Sequence, residues 1–500
     1  MPDRAASERA PRPAAAGLHG AISPSRVRYR ILALLCGLSM ITYLDRACLG
    51  AAAPSLVAEL SLTSEAELKW AFAAFAIAYA LFEIPSGWLG DVLGPRGTLV
   101  GIVAWWSICT ASTALVGWRI GGVLLCGLGG LVLLRFLFGA GEAGAYPNIT
   151  RALHNWFPIR QRATAQGFIW MSGRVAGGLT PLFFTLLVTG TVSTAPLMTW
   201  RGSFVLLGVV GCAWCAGFAL WFRNRPAEHP RVNASELAQI EAGQPPPVSH
   251  AAVPWRAFGR SASLWFLCGM YFCLNVGWCF HLTYLPSYLP YRYHLAKGSM
   301  LGAFYSGGPL WLGAVGCLLG GLAADRLLRR TSNPDRVRRR MCAVCLLLAA
   351  LSWLAAIYAA NVHVFVLAVS LTAFFNDLTM PSAWAVCQNI GGRFAGVAAA
   401  CMNTIGTLGS AAAVWLTGVL VEHSLAVRAV TIGAAAEKLP ASERYLASLA
   451  GYDRAFVVYA VAYLLAAACW WWIDQTRGIT PQTGPAGPAS CQLPESPQLS

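Results

Sequence analysis

An arginine and a glutamate stand seven residues apart in the stretch from Leu131 to Pro147, which is otherwise apolar enough to lie in a bilayer. At about 100° per residue, Arg135 and Glu142 return to one helix face, roughly 10 Å apart along the axis. An ionised side chain in hydrocarbon is strongly unfavourable unless it turns to a protein interior or a water-filled cavity, so both residues imply such an interior. Arg135 offers a planar fork of donors that suits a carboxylate and is the leading anion contact. Glu142, flanked by Gly141 and Gly144, lies where helices approach closely; with no His or Cys cluster beside it, it suits a proton carrier better than a metal ligand. A second locus is Tyr43, Asp45 and Arg46. Adjacent residues point about 100° apart, so Asp45 and Arg46 either form an internal ion pair that locks the bundle, or divide into a titrating acid and a cavity-organising cation. The second reading is preferred, because buried ionisable groups of this kind mark functional sites. Arg174 adds a third cation, which suggests a more acidic substrate or one with a second carboxylate; pairing with Asp45 or Glu142 is the equal alternative. Asn275, His281, Asn376, Asp377 and Asn403 are the polar candidates of the later half. Among them His281 reads as packing, and Asp377, four residues before Pro381, reads as a polar hinge or a third titrating acid.

The elements that position these residues follow from composition. The chain has 500 residues, 57% hydrophobic and 11% charged, where a soluble protein carries about 25% charged residues. Apolar runs of bilayer length predict an all-α membrane protein. Twelve spans are expected, near 31–58, 68–89, 97–117, 122–147, 163–190, 202–222, 262–290, 301–325, 341–360, 363–390, 395–421 and 454–473. The polar interruption after Arg223, which includes Pro245 to Pro247, divides them into two six-helix bundles. The expected organisation is a tail (1–28), a first bundle (29–225), a linker (226–260), a second bundle (261–475) and a tail (476–500). The net charge of +15 sits in short loops such as Arg96, Arg151 to Arg162 and Arg326 to Arg340. That distribution predicts both termini cytoplasmic and argues against nucleic acid. The 16 cysteines are scattered singly and read as small core residues. The stretch from Glu422 to Asp453 is expected to be a mixed-charge outside loop.

An internal echo relates the halves. Gly87-Trp-Leu-Gly-Asp91 with Arg96 follows the second span, and Gly320 to Asp325 with Arg329 follows the eighth. Small residues let helices approach, and an acid and an arginine at a helix end can hold one conformation. Gly87, Asp91, Arg96, Asp325 and Arg329 are therefore read as a repeated conformational latch rather than as plain tight turns, since paired repeats build alternating-access folds.

These loops resemble the signature of the major facilitator superfamily. Further stretches resemble its anion:cation symporter branch: Tyr43 to Arg46, Arg135 to Pro147, Asn155-Trp-Phe-Pro158, Thr283 to Leu289, Trp384-Ala385, Ile390 to Gly392 and Asn403 to Gly406. The resemblance implies the major facilitator fold and proton-coupled symport of an organic anion, a sugar acid such as a hexuronate or aldonate or a related carboxylate. It implies proton-coupling roles for Asp45 and Glu142 and anion-site roles for Arg46 and Arg135. Tyr43, Tyr79, Arg174, Trp384 and Asn403 complete the expected substrate-lining set; some members of the branch carry glutamine near the position of Arg174. No metal, cofactor or catalytic residue is expected. The expected setting is a monomer in a bacterial inner membrane, partnered by protons, lipid and a small anion. An efflux or facilitative carrier of the same superfamily is the main alternative. A membrane-embedded enzyme would need a nucleophile–His or metal-ligand arrangement; an anion sensor would need a signalling domain that the short tails do not suggest.

Overall fold

In the absence of water every backbone polar group must be satisfied within its own segment, which leaves apolar runs of this length one solution, the helix. The computed structural model describes residues 23–479 apart from 63–64, 122, 125, 185–186, 189–194, 243–252, 297–299, 330–333, 434, 436–438 and 477. Most of both expected tails, the end of the fifth expected span and the Pro245 to Pro247 run fall outside the described residues.

Among the described residues the first half comprises α1 (Val27–Glu59), α2 (Lys69–Leu93), α3 (Pro95–Ser112), α4 (Leu128–Glu142) continued by α5 (Ala145–Trp156), α6 (Arg162–Phe184) and α7 (Trp200–Trp221). A two-residue hairpin, β1 (Arg119–Ile120) and β2 (Val123–Leu124), pairs antiparallel between α3 and α4. Two short helices follow, α8 (Ala234–Glu241) and α9 (Trp255–Arg260). The second half comprises α10 (Ala262–Thr283) continued by α11 (Leu285–Tyr293), α12 (Met300–Arg329), α13 (Pro334–Ile357), α14 (Val362–Gly391), α15 (Ala395–Ile432) and α16 (Ala441–Cys469). Counting α4–α5 and α10–α11 as one span each gives twelve, six per half. The fourth span is interrupted just after Glu142, and α5 restarts with Pro147 in its first turn, where a missing N–H is tolerated. Between α2 and α3, Gly94 takes φ +88°, which a side chain would strain, and a Cβ there would meet Asn224 at 2.5 Å.

The first and last described segments lie on one face. Glu236 of α8 accepts hydrogen bonds from the backbone N–H groups of Val27 (2.9 Å) and Arg28 (3.1 Å), so a linker carboxylate satisfies the open N-terminus of α1. At the other end, Ile479 N–H donates to the Ile390 carbonyl at 2.9 Å. We call this the tail face.

The expected outside loop from Glu422 to Asp453 is corrected. α15 continues to Ile432 and α16 begins at Ala441, so most of that stretch is a helical hairpin. Arg428 pairs with Glu443 at 2.6 Å, Arg454 donates to Ser424 at 3.1 Å, and Gly451 packs so closely that a Cβ would meet Val421 Cα at 2.6 Å. Cross-helix pairing thus carries both helices past the apolar pattern that marked their expected ends.

The halves meet through glycines at matched places. A Cβ added to Gly87 of α2 would meet the Gly396 carbonyl of α15 at 2.7 Å, and one added to Gly396 would meet the Gly87 carbonyl at 2.7 Å. One added to Gly321 of α12 would meet the Ala163 carbonyl of α6 at 2.6 Å, and one added to Gly167 of α6 would meet the Cys317 carbonyl of α12 at 2.6 Å. The tail face is therefore closed, with α2 on α15 and α6 on α12. Gly87→Val should hold it open: spin labels at Leu93 and Arg393 are expected to report a longer distance than in the wild type, and an unchanged distribution would show that close glycine contact is not what seals this face.

Candidate functional site

The charged side chains of the spans assemble in the interior between these helices. Arg46 of α1 reaches across to α4, its Nε 2.6 Å from Glu142 Oε1. Its guanidinium lies 4.8 Å from the Tyr79 ring centroid and 5.7 Å from that of Phe75. Of the two readings of Asp45 and Arg46, the geometry therefore does not take the internal pair. Asp45 is buried, its Oδ2 accepts from Trp106 Nε1 at 3.1 Å, and its Oδ1 has no hydrogen-bond partner among the described residues.

Arg135 is also buried, with no ion pair among the described residues and its Nε without a partner. Its guanidinium lies 4.3 Å from the Phe138 ring and 5.2 Å from the Phe75 ring, with Asp45 and Glu142 as charged neighbours. Aromatic faces hold this cation without neutralising it, which leaves its donor fork to an anion.

Arg174 pairs with neither Asp45 nor Glu142, the two partners expected for it. Its Nε and Nη2 take both oxygens of Asp377 on α14, at 2.8 and 3.0 Å, while Nη1 donates to Tyr43 OH at 2.6 Å. The hinge reading of Asp377 finds no break beside it, since α14 runs unbroken through Pro381. Asn376 Nδ2 donates to Asp377 at 2.9 Å, and Tyr463 OH donates to Asn376 at 3.0 Å.

An aromatic wall joins the halves. Tyr146 and Trp170 stack at 4.4 Å, and Trp384 lies 6.1 and 5.1 Å from them, its Nε1 donating to Tyr271 OH at 3.3 Å. Asn403 donates to Tyr79 OH at 3.4 Å and to Glu83, and Thr404 Oγ1 donates to Glu83 Oε2 at 3.0 Å. Glu83 is fully buried and was missed by the sequence reading. Its signal was present: an acid in Phe82-Glu-Ile-Pro85, inside an apolar span, raises the same question that Glu142 does. His281 is buried between the carbonyls of Val369 (3.0 Å) and Trp278 (3.2 Å), a packing position.

On the tail face, Asp91 accepts from the N–H groups of Gly396 (3.1 Å) and Val397 (2.8 Å) at the start of α15. Its cation is Arg151, at 3.3 Å, not Arg96, which instead donates to the Ala219 carbonyl at 2.5 Å at the end of α7. Asp325 Oδ2 accepts from Thr164 N–H of α6 at 2.7 Å. Arg329 is exposed in the last turn of α12. Each acid thus caps the N-terminus of a helix in the other half. Among the described residues no group of three or more His, Cys, Asp or Glu is arranged to hold a metal.

The sequence profile of the Major Facilitator Superfamily matches residues 35–414. The chain belongs to the major facilitator superfamily. That membership makes it a transporter rather than an enzyme. The chain is 34% identical over 383 residues to a probable sulfoacetate transporter of Cupriavidus necator, covering 76% of this chain and 84% of that protein. It is 29% identical over 407 residues to a hexuronate transporter of Bacillus subtilis, covering 80% and 89%. These relatives support the organic-anion branch that the motifs resemble. In structure it is similar to the proton:xylose symporter XylE (TM-score 0.68, 14% identity, 90% of this chain and 96% of that one). It is also similar to the Escherichia coli fucose:proton symporter FucP (TM-score 0.61, 14% identity, 90% and 100%). At such identities these two share the fold.

A side-chain cap contributes about 1 kcal/mol, a factor of about five in an equilibrium. Asp91→Ala and Asp325→Ala should each shift the superfamily member towards its tail-open form by roughly that factor. Accessibility of tail-face positions to a water-soluble thiol reagent measures the shift, and a double variant no more open than the singles would show that the two caps do not act independently.

Proposed function

We propose that the protein is a proton-coupled symporter of a small organic anion, working by alternating access in a bacterial inner membrane with both termini in the cytoplasm. The observation that carries the reading is Arg135: a buried guanidinium with no ion pair among the described residues, next to two buried carboxyls, Asp45 and Glu142. The names of the relatives, a probable sulfoacetate transporter and a hexuronate transporter, support a substrate that is a small molecule with a carboxylate or sulfonate group. The orientation is supported by arginines on the tail face: Arg96, Arg151, Arg160, Arg162 and the run Arg338 to Arg340.

The geometry supports a sequence of events. In the closed tail-face form Glu142 holds Arg46. A proton on Glu142 removes the charge that holds Arg46, so that Arg46 and Arg135 together can face the incoming carboxylate, while Tyr79, Trp384 and Asn403 line the remaining wall. Asp45 is the second proton site. With the substrate's charge balanced, the loaded carrier can rock; loss of the protons on the inside restores the Arg46–Glu142 pair and expels the anion. Proton coupling is called for because a negative interior opposes anion entry by about 2.3 kcal/mol per charge per 100 mV.

Uptake into proteoliposomes under an imposed pH gradient, with uronates, aldonates, dicarboxylates and sulfoacetate, tests this. Glu142→Gln should keep anion exchange but lose pH-driven accumulation, and Arg135→Ala should lose both. Accumulation surviving in Glu142→Gln would move the coupling role to Asp45, and uptake of none of these anions by the wild type would refute the reading.

A further inference from the structure

A carrier that returns empty must recross the membrane with its anion site unfilled. Each cation of that site then needs a contact supplied by the protein, because an uncompensated guanidinium in the membrane is strongly unfavourable; for Arg135 that contact is the faces of Phe75 and Phe138. For Arg46 it is Glu142, from the same half of the molecule. For Arg174 it is Asp377, from the other half.

The two pairs differ in geometry. Arg46 meets Glu142 through Nε at one oxygen. Arg174 presents the Nε–Nη2 edge to both oxygens of Asp377, the side-on fork by which arginine takes a free carboxylate or another planar pair of anionic oxygens. The rest of Arg174 is fixed. Tyr43 OH occupies Nη1, and the Trp278 ring lies 3.8 Å from the guanidinium carbon. The forked edge is thus the part of Arg174 whose partner can be exchanged without moving the arginine. Its position relative to the first anion site is set by α1: Tyr43 and Arg46 are three residues apart, about 4.5 Å of helix rise. The α1 anchor of Arg46 therefore stands one turn from the tyrosine that holds Arg174.

We propose that Arg174 receives the second anionic group of the substrate and that Asp377 stands in for that group while the carrier is empty, which makes the protein selective for small dianions, dicarboxylates or sulfonate-carboxylates. The proposal rests on the anion-transport reading above and narrows it. Displaced from Arg174, Asp377 keeps the Asn376 amide as a donor. The titratable and charged groups that face Asp377 are Arg174 on α6, Tyr43 on α1, His281 on α10, Cys317 on α12 and Tyr463 on α16. Because Arg174 and Asp377 sit in different halves, the exchange also unties the halves at mid-membrane when the substrate is aboard.

Matched probes test this in proteoliposomes: D-glucarate against D-gluconate, and sulfoacetate against acetate, each pair differing by one anionic group. A charged hydrogen-bonded contact predicts that the wild type prefers the dianion of a pair by about tenfold or more. In Arg174→Gln that ratio should fall to near one. In Asp377→Asn, with the stand-in removed, dianion binding measured by tryptophan quenching should tighten while net uptake falls relative to exchange. The double variant Arg174→Gln, Asp377→Asn removes both charges and keeps both shapes; it should also lack the preference. A wild type that takes both members of each pair equally would overturn the proposal, as would a ratio unchanged in Arg174→Gln or recovered in the double variant, which would make the pair a structural tie. If no member of either pair enters the wild type, it is the anion-transport reading that has failed.

Discussion

A guanidinium cannot stand unpartnered in hydrocarbon, and the architecture follows from what each of three arginines is given. Arg46 is given Glu142 from a neighbouring helix of its own bundle, Arg174 is given Asp377 from the opposite bundle, and Arg135 is given aromatic faces. Aromatic rings lower the unfavourable energy of burying a cation without cancelling its charge, so Arg135 is the position most in need of an anion. The breaks and crossings serve this arrangement. α4 stops just after Glu142, and α1 packs on α6 while Arg46 reaches across to α4, so Arg46 and Tyr43, one turn apart, each meet a different charged neighbour.

Closure of the tail face obeys a related rule with smaller energies. Helix N-termini leave N–H groups without intrahelical partners, and here an acid of one half satisfies those of the other: Asp91 for α15 and Asp325 for α6. Close glycine contacts at Gly87 and Gly396, and at Gly167 and Gly321, bring the backbones near enough for these bonds. Such caps are worth on the order of 1 kcal/mol each. Water can satisfy the same groups when the face opens, so the closed form is held without being trapped. The repeat of this device in both halves is what a two-fold related pair of bundles produces.

The spans were legible in the sequence because backbone satisfaction in a bilayer leaves a long apolar run no alternative to a helix. The costly charges were legible for the same reason: Asp45, Arg46, Arg135 and Glu142 do neighbour one another, and Arg174 meets Tyr43, one turn along α1 from Arg46. Their partners were not legible. That Arg46 meets Glu142 rather than Asp45, and that Arg174 meets Asp377, depends on how α1, α4, α6 and α14 rotate against one another, and one helix's periodicity carries no record of that. Glu83 was missed although the rule that singled out Glu142 applies to it equally; its partners, Asn403 and Thr404, lie more than three hundred residues away. The far ends of α15 and α16 escaped notice because they are held by contacts such as Arg428–Glu443, and an apolar pattern records only the part of a helix that faces lipid or core.

Glu83 also bears on the charge of the whole site. With it, four buried carboxyls, those of Asp45, Glu83, Glu142 and Asp377, accompany three guanidinia, those of the buried Arg135 and Arg174 and of the part-exposed Arg46. Glu83 takes its hydrogen bonds from an amide and a hydroxyl, not from a cation. An anion added to this interior meets Arg135, which has no ion pair among the described residues, and adds to a set of carboxyls that already outnumbers the guanidinia. Under the proposed symport, coupling is therefore a property of the charge count as much as of any one residue.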